Sequence, residues 1–356
     1  MRLRRILIVT SIIAVIIVGV IFLQNNLLDR GLRISADTPA VVDPRELILG
    51  CLAGKDCIPS IDNPQFTSVK QADQWVHNEN LVLVAIHNGI TKAYPIRILN
   101  WHEIVNDDFN GVPVAVTYCP LCNSGAAFIR ILNGAPVEFG VSGRLRNSDL
   151  VMFDRTTETL WQQITGEGLI GSLAGELLEK IPVDMVLWGD WKEANPDAQV
   201  LSRQTGFARD YNADPYDGYK VSDDVSFGTR FTDQRLRPKE NVIGVVVNGQ
   251  AKAYTVEALN RLKLVNDELG GEPILLVVDS DSGVKRVFKR EFDGTALEFT
   301  LKDGALIDLG TNSVWNFTGQ AVSGELSGVQ LEEIISDPGF WFAWAAFFPE
   351  TDLFNG

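Results

Sequence analysis

Two cysteines stand around a proline and a leucine in TYCPLCNS, residues 117–124, directly after the apolar run VPVAV. Thiols at that spacing support three chemistries. A CxxC dithiol can run thiol–disulfide exchange, with Cys119 as nucleophile and Cys122 as resolving thiol, when a helix N-terminus lowers the first pKa. A tight CPxC turn can instead converge two thiolates on a metal, as in zinc ribbons. Or the pair is structural, two small buried thiols or a disulfide bracing a turn. The residues after Cys122 (NSGAAFIRIL, NG, APVEFGVS) alternate like a strand hairpin, which takes the helix-start mechanism away from the redox reading.

A metal needs further ligands, and the chain has three histidines, His77, His87 and His102. The candidate set is a Cys2His core of Cys119, Cys122 and His102, with Met152 as a weaker, soft fourth donor. A thioether would suit copper, and an open position would suit zinc. The second CxxC of a zinc ribbon is absent, and His77 and His87 read as ordinary polar groups.

The chain contains its own control. AIHNGITKAYPIRILNWHEIVNDDFNGVPVAV (85–116) recurs as VVVNGQAKAYTVEALNRLKLVNDELGGEPILL (245–276) at an offset of 160. After two shortenings, DRTTETLW (154–161) matches DLGTNSVW (308–315), TGEGLIGSLAGELLEKI matches TGQAVSGELSGVQLEEI, and WGDWKEANPD matches WFAWAAFFPE. In the second copy His102 becomes Leu262, Cys119 becomes Asp279 and Cys122 becomes Ser282, while Met152 becomes Leu306. The scaffold therefore does not need the sulfurs. Between Phe139 and Asp154 the first copy is also six residues longer than between Phe299 and Asp308. That surplus includes GRLRNSD, whose Arg144 and Arg146 could contact an anion or an acidic partner near the cysteines.

Positioning these groups falls to a strand-rich unit. Asn88–Gly89 and Asn248–Gly249 each sit between alternating runs, a tight-hairpin signature. A helical pattern, PIRILNWHEIV, follows, then the strand GVPVAVTY and a hairpin across Asn133–Gly134. Trp188 and Trp191, like Trp341 and Trp344, predict a short helix with an aromatic face packed in the core. The segment 203–240 reads as an ordered crossover in which Tyr211, Tyr216 and Tyr219 strap an interface.

Ahead of this unit, MRLRR precedes eighteen uncharged residues, Ile6–Leu23, predicting one membrane span rather than a cleaved signal. Arg2, Arg4 and Arg5 place the N-terminus in the cytoplasm and the rest outside it. In that oxidising compartment Cys51 and Cys57 are expected to form a disulfide. The division is then an anchor (1–30), a tether with the Cys51–Cys57 loop (31–65), a first half with the CxxC/His site (66–202), a connector (203–240) and a second half lacking the site (241–356). QNNLLDRGLRISADTPAVVDP is too polar and irregular to pack as helix or strand. The fold class is α+β and β-rich, two similar halves in tandem behind a transmembrane helix. A formal charge of −15 disfavours nucleic acid.

KDCIPSIDNPQF, the stretch from AYPIRILNWHEIVND to TYCPLCNSGAAF, FGVSGRLRNSDLVMFDRTTETLWQQ and RDYNADPYDGY resemble the bacterial and archaeal family of domain of unknown function 3179, from about Asp56 to the end. The resemblance implies an exported or membrane-anchored protein and carries no assigned activity. Nothing in it concerns Cys51 and Cys57, which lie at its edge. Three functions remain open: an anchored extracytoplasmic protein binding copper or zinc, a membrane-tethered thiol oxidoreductase, or a non-catalytic binding ectodomain with a protein partner.

Overall fold

The computed structural model describes residues 35 and 37–356. The expected anchor, Ile6–Leu23, lies outside them, and among the described residues no helix is long and apolar enough to cross a membrane. Strands dominate, joined by a few short helices.

β1 (Ile48–Leu49), ahead of the first half, and β2 (Phe66–Ser68), at its start, pair with later strands. The body of the half is β3 (Leu81–His87), β4 (Ile90–Pro95), α1 (Ile96–His102), β5 (Ile104–Phe109), β6 (Val112–Cys119), β7 (Ser124–Ile129), β8 (Phe139–Arg146) and β9 (Asp149–Asp154). It closes with β10 (Val183–Leu187), α2 (Trp188–Ala194) and β11 (Gln199–Leu201). Three sheets result. One runs β10-β3-β4-β11-β2, a second places β7-β6-β5 beside Lys180–Ile181, and a third runs β1-β8-β9 and on to Leu160–Gln162.

Residues 241–354 run through the same order: β12 (Asn241–Val247), β13 (Gln250–Thr255), α3 (Val256–Leu262), β14 (Leu264–Leu269), β15 (Glu272–Val278), β16 (Lys285–Lys289), β17 (Phe299–Lys302), β18 (Ala305–Asp308), β19 (Ser336–Phe340), α4 (Trp341–Phe347) and β20 (Asp352–Phe354). Internal braces correspond as well. Trp161 Nε1 donates to Asp154 Oδ2 at 3.0 Å, and Trp315 Nε1 to Asp308 Oδ2 at 3.0 Å. Lys92 pairs with Asp107 as Lys252 does with Asp267.

The Asn-Gly turns form as the sequence predicts, with positive φ at Asn88 and Gly89 and at Asn248 and Gly249. Trp188 and Trp191 start α2 with both rings buried, and Trp341 and Trp344 do the same in α4, so all four are core residues. Two expectations change. The helix ends at His102 instead of running on to Val105, because Glu103 turns to φ +57 and Ile104–Phe109 pairs with β6 as a strand. The tether is also part of the folded body from Ala40 onward: Ala40 bridges Ile170, and β1 pairs with β8.

The middle sheet fixes the site because both of its faces are buried. Along β6, Val114, Val116 and Tyr118 pack on the core shared with β3 and β4, whereas Ala115 and Cys119 face the core under β8 and β9. This is the two-residue period of a strand. The second core also takes in Phe340, Phe342 and Ala343, so the second half closes over the cysteine turn.

A buried Cys2Asp cluster and its cavity

The cysteine turn closes the β6–β7 hairpin. Cys119 and Ser124 are its last paired residues, and Asn123 adopts φ +47 to make the turn. Tyr118 Oη donates to Asn123 Oδ1 at 2.8 Å, and the Cys122 carbonyl accepts from Phe340 N at 2.8 Å. The turn is thus held by its own strand and by the other half. No helix begins here.

The six surplus residues lengthen the β8–β9 hairpin. Phe139 pairs with Asp154 just as Phe299 pairs with Asp308, but the first hairpin runs on to Arg146–Asp149 whereas the second stops at Lys302–Ala305. Asn147 and Ser148 turn its tip with φ of +52° and +63°, the pair of positive values that a two-residue hairpin turn requires. The tip reaches the thiols. The Ser148 carbonyl accepts from Cys122 Sγ at 3.4 Å and lies 3.7 Å from Cys119 Sγ, and the Ser148 hydroxyl donates to the carbonyls of Ser226 and Gly228 in the connector.

Next in the chain is Asp149. Cys119, Cys122 and Asp149 are buried and place one ligand atom each within 4.8 Å of the others. Gln162 Nε2 donates to Asp149 Oδ2 at 2.7 Å and Ile164 N to the same oxygen at 3.1 Å, which fixes the carboxyl group. Burial pushes the Cys119 thiol up and the Cys122 thiol well above its ordinary range; Cys119 and Asp149 add to the second shift. Burial likewise raises Asp149 to about 6, against the hydrogen bonds from Gln162 and Ile164.

Beside the cluster lies a cavity of about 230 Å³. Its wall includes Leu121 from the cysteine turn, Leu150 from β9, Arg144, Glu103, Tyr216 and the Cys51–Cys57 disulfide, which forms as expected. Glu103 is buried, and burial pushes its carboxyl up to about 8, opposed by a hydrogen bond from Tyr216 Oη at 3.4 Å.

Several expected site residues lie elsewhere or act otherwise. His102 is not among the clustered ligands: its Nδ1–H donates to the Pro59 carbonyl at 2.8 Å, so Nε2 accepts from Tyr211 Oη at 2.8 Å. The imidazole is consumed in joining the tether, α1 and the connector. Arg146 points away into an ion pair with Glu46, which Arg230 shares, so its expected anion contact is replaced by an internal one. Arg144 is buried in the cavity wall. Met152 packs in the same core as the cysteines. In the connector, Tyr211 is buried against His102, and Tyr216 reaches Glu103.

Asp149 and Glu103 are the site residues that the sequence did not single out. For Asp149 a signal existed, since it ends the GRLRNSD surplus that only the first half carries. Glu103 had a fainter one in its exchange for Lys263.

No curated protein and no solved structure matches the chain. The family model for proteins of unknown function (DUF3179) matches residues 55–351, and the chain belongs to that family.

Proposed function

We propose that the chain is a membrane-anchored, extracytoplasmic metal-binding protein whose first half holds one ion through Cys119, Cys122 and Asp149. The observation that carries this reading is the convergence of three buried donor atoms within 4.8 Å, the carboxylate delivered by a hairpin extension. Thiolates bound to one tetrahedral zinc at about 2.3 Å stand roughly 3.8 Å apart, so the spacing is of the right size. Two sulfurs and one oxygen favour zinc over copper(I), which prefers soft donors throughout.

Three protein ligands leave the fourth position of a tetrahedral zinc to another donor, although none of the three opens onto the neighbouring cavity. The thiol oxidoreductase reading has less support, because the thiols are buried with raised pKa values and lie on a hairpin turn. The Cys51–Cys57 disulfide supports an oxidising compartment, and Ile6–Leu23 would be the anchor. The two halves are read as copies of one unit, of which only the first kept or gained the ligands.

Elemental analysis of the purified, zinc-loaded protein tests the reading. About one zinc per chain is expected in the wild type and almost none in Asp149→Asn. Equal metal in the two would end the proposal.

A further inference from the structure

The cavity beside the cysteine cluster is walled by stretches that the second half lacks or exchanges. Gly50 N and Cys51 N donate to the Gly143 carbonyl at 2.9 and 3.0 Å, and Asp56 N donates to the Val141 carbonyl at 2.8 Å. These bonds pin the Cys51–Cys57 loop on β8. The contact is close, since a Cβ at Gly143 would stand 2.6 Å from the Gly54 carbonyl oxygen. The connector closes another side with Tyr216 and Phe227. In the second half Lys263 replaces Glu103 and Asp281 replaces Leu121, and neither the disulfide loop nor the connector is repeated.

Ile58, Leu121, Val141, Leu145 and Leu150 make most of the lining apolar. Against them stands one carboxyl group that is short of partners. Tyr216 Oη donates to Glu103 Oε1 at 3.4 Å, and Oε2 has no hydrogen-bond partner among the described residues. Glu103 is 6% exposed, yet Oε2 is not sealed as the orphaned atoms of Asn100 and Tyr219 are, and the surface it keeps lies in the cavity whose wall it helps form. Burial pushes the carboxyl up to about 8, so at neutral pH it is an acid with an O–H to donate. A buried donor costs free energy until it is paired, so the group that would complete this cavity is an acceptor. The charges around Glu103 are Arg144 in the same wall and Asp149 nearby, one of each sign, which favours a neutral ligand over an ion.

We propose that this cavity binds a small neutral molecule with an apolar body and one carbonyl or hydroxyl oxygen, which accepts a hydrogen bond from the Glu103 carboxyl. The apolar body packs on Leu121, Leu145 and Leu150. The volume of about 230 Å³ is below the range of about 300–1,000 Å³ usual for drug-sized ligands, which suits a molecule of about ten heavy atoms or fewer. Cys119, Cys122 and Asp149 do not line the cavity, so the site does not depend on a bound ion.

Titration calorimetry of the purified full chain at neutral pH with butanone, cyclohexanone, methylenecyclohexane and cyclohexylamine tests it. At least one ketone is expected to bind. Methylenecyclohexane, which has the shape of cyclohexanone without its oxygen, should bind about tenfold or more weakly than the better ketone, because it leaves the Glu103 donor unpaired. Glu103→Gln keeps a donor in place and should hold ketone affinity within about threefold, whereas Glu103→Met should lower it to the level of methylenecyclohexane. If Glu103→Met fails to fold, Glu103→Gln and the comparison of probes still decide. Absence of binding by both ketones, equal binding of methylenecyclohexane, or tighter binding of cyclohexylamine would overturn the proposal.

Discussion

The turn at Cys119–Ser124 and the turn at Asp279–Val284 solve one geometric problem with different side chains. In the second half, Ser282 Oγ donates to Asp279 Oδ2 at 2.5 Å, a self-sufficient bridge between the positions that the two cysteines occupy in the first. The thiols lie against each other and turn as well to the Ser148 carbonyl and to Asp149, on a hairpin that the second half ends six residues sooner. There the hairpin turns at Asp303–Gly304, and Asp303 is exposed. A turn that can close itself with Asp and Ser has no structural need for two sulfurs and a hairpin extension. The difference is what favours the proposed ligand role of the first-half set.

The comparison is broken most severely by moving second-half residues into the first. Cys122→Ser should fold and lose nearly all bound zinc, because removing one thiolate from a three-ligand site leaves too few donors to hold the ion. Elemental analysis against the wild type reads this, and the reverse change, Ser282→Cys, should gain no zinc because no hairpin tip delivers a carboxylate there. Retention of zinc by Cys122→Ser would mean that the two turns differ for some other reason.

Glu103 and Lys263 offer the next largest contrast, both at positive φ after their helices. Glu103 has a folded pKa of about 8 against an ordinary 4.5, so the folded, metal-free chain holds a proton that the unfolded chain has released. Stability contributed by the neutral group is present below pH 4.5 and lost as pH rises through 8. The loss is on the order of 4 kcal/mol. Urea unfolding of the metal-free protein at pH 5 and pH 8.5 should show this decline, and Glu103→Gln should flatten it; a wild type equally stable at both pH values would show that the carboxyl is not held neutral.

Shared braces should respond alike. Asp154→Ala and Asp308→Ala each remove the carboxylate that anchors a Trp indole and the turn N–H groups after it. Each should cost about 3 kcal/mol in chemical denaturation, with little change in zinc content after refolding. A loss of zinc from Asp154→Ala alone would tie this brace to the site.

Sequence made the scaffold visible and the site only half visible, for a physical reason. Hairpin turns, paired tryptophans and the two-residue period of β6 are local patterns, so TYCPLCNS could be placed on a strand end without coordinates. The ligand set is not local. Asp149 approaches Cys119 because the β8–β9 hairpin is long enough to fold over another sheet, and nothing in GRLRNSD alone says that its acid, rather than its arginines, faces the sulfurs. β5 was hidden for a related reason, since Ile104 and Val105 continue the apolar spacing of α1 and only the backbone reversal at Glu103 separates helix from strand.

His102 shows how a sound chemical inference can be redirected by packing, and its replacement is the smallest expected effect. Its exchange for Leu262 in the second half suggested a ligand, yet the imidazole is taken up by the Pro59 carbonyl and by Tyr211 of the connector. His102→Leu should leave zinc content intact, and it should destabilise the fold by about 1–2 kcal/mol, since the Pro59 carbonyl and the Tyr211 hydroxyl lose a partner. Burial holds the imidazole below its usual 6.5, so the unfolded chain takes up a proton first and wild-type stability from this group falls as pH drops below about 6.5. The Leu variant should lose that acid-side component. If zinc content dropped instead while the melting curve held, the imidazole would be acting as a ligand and the two turns would have to be compared again with His102 in the set.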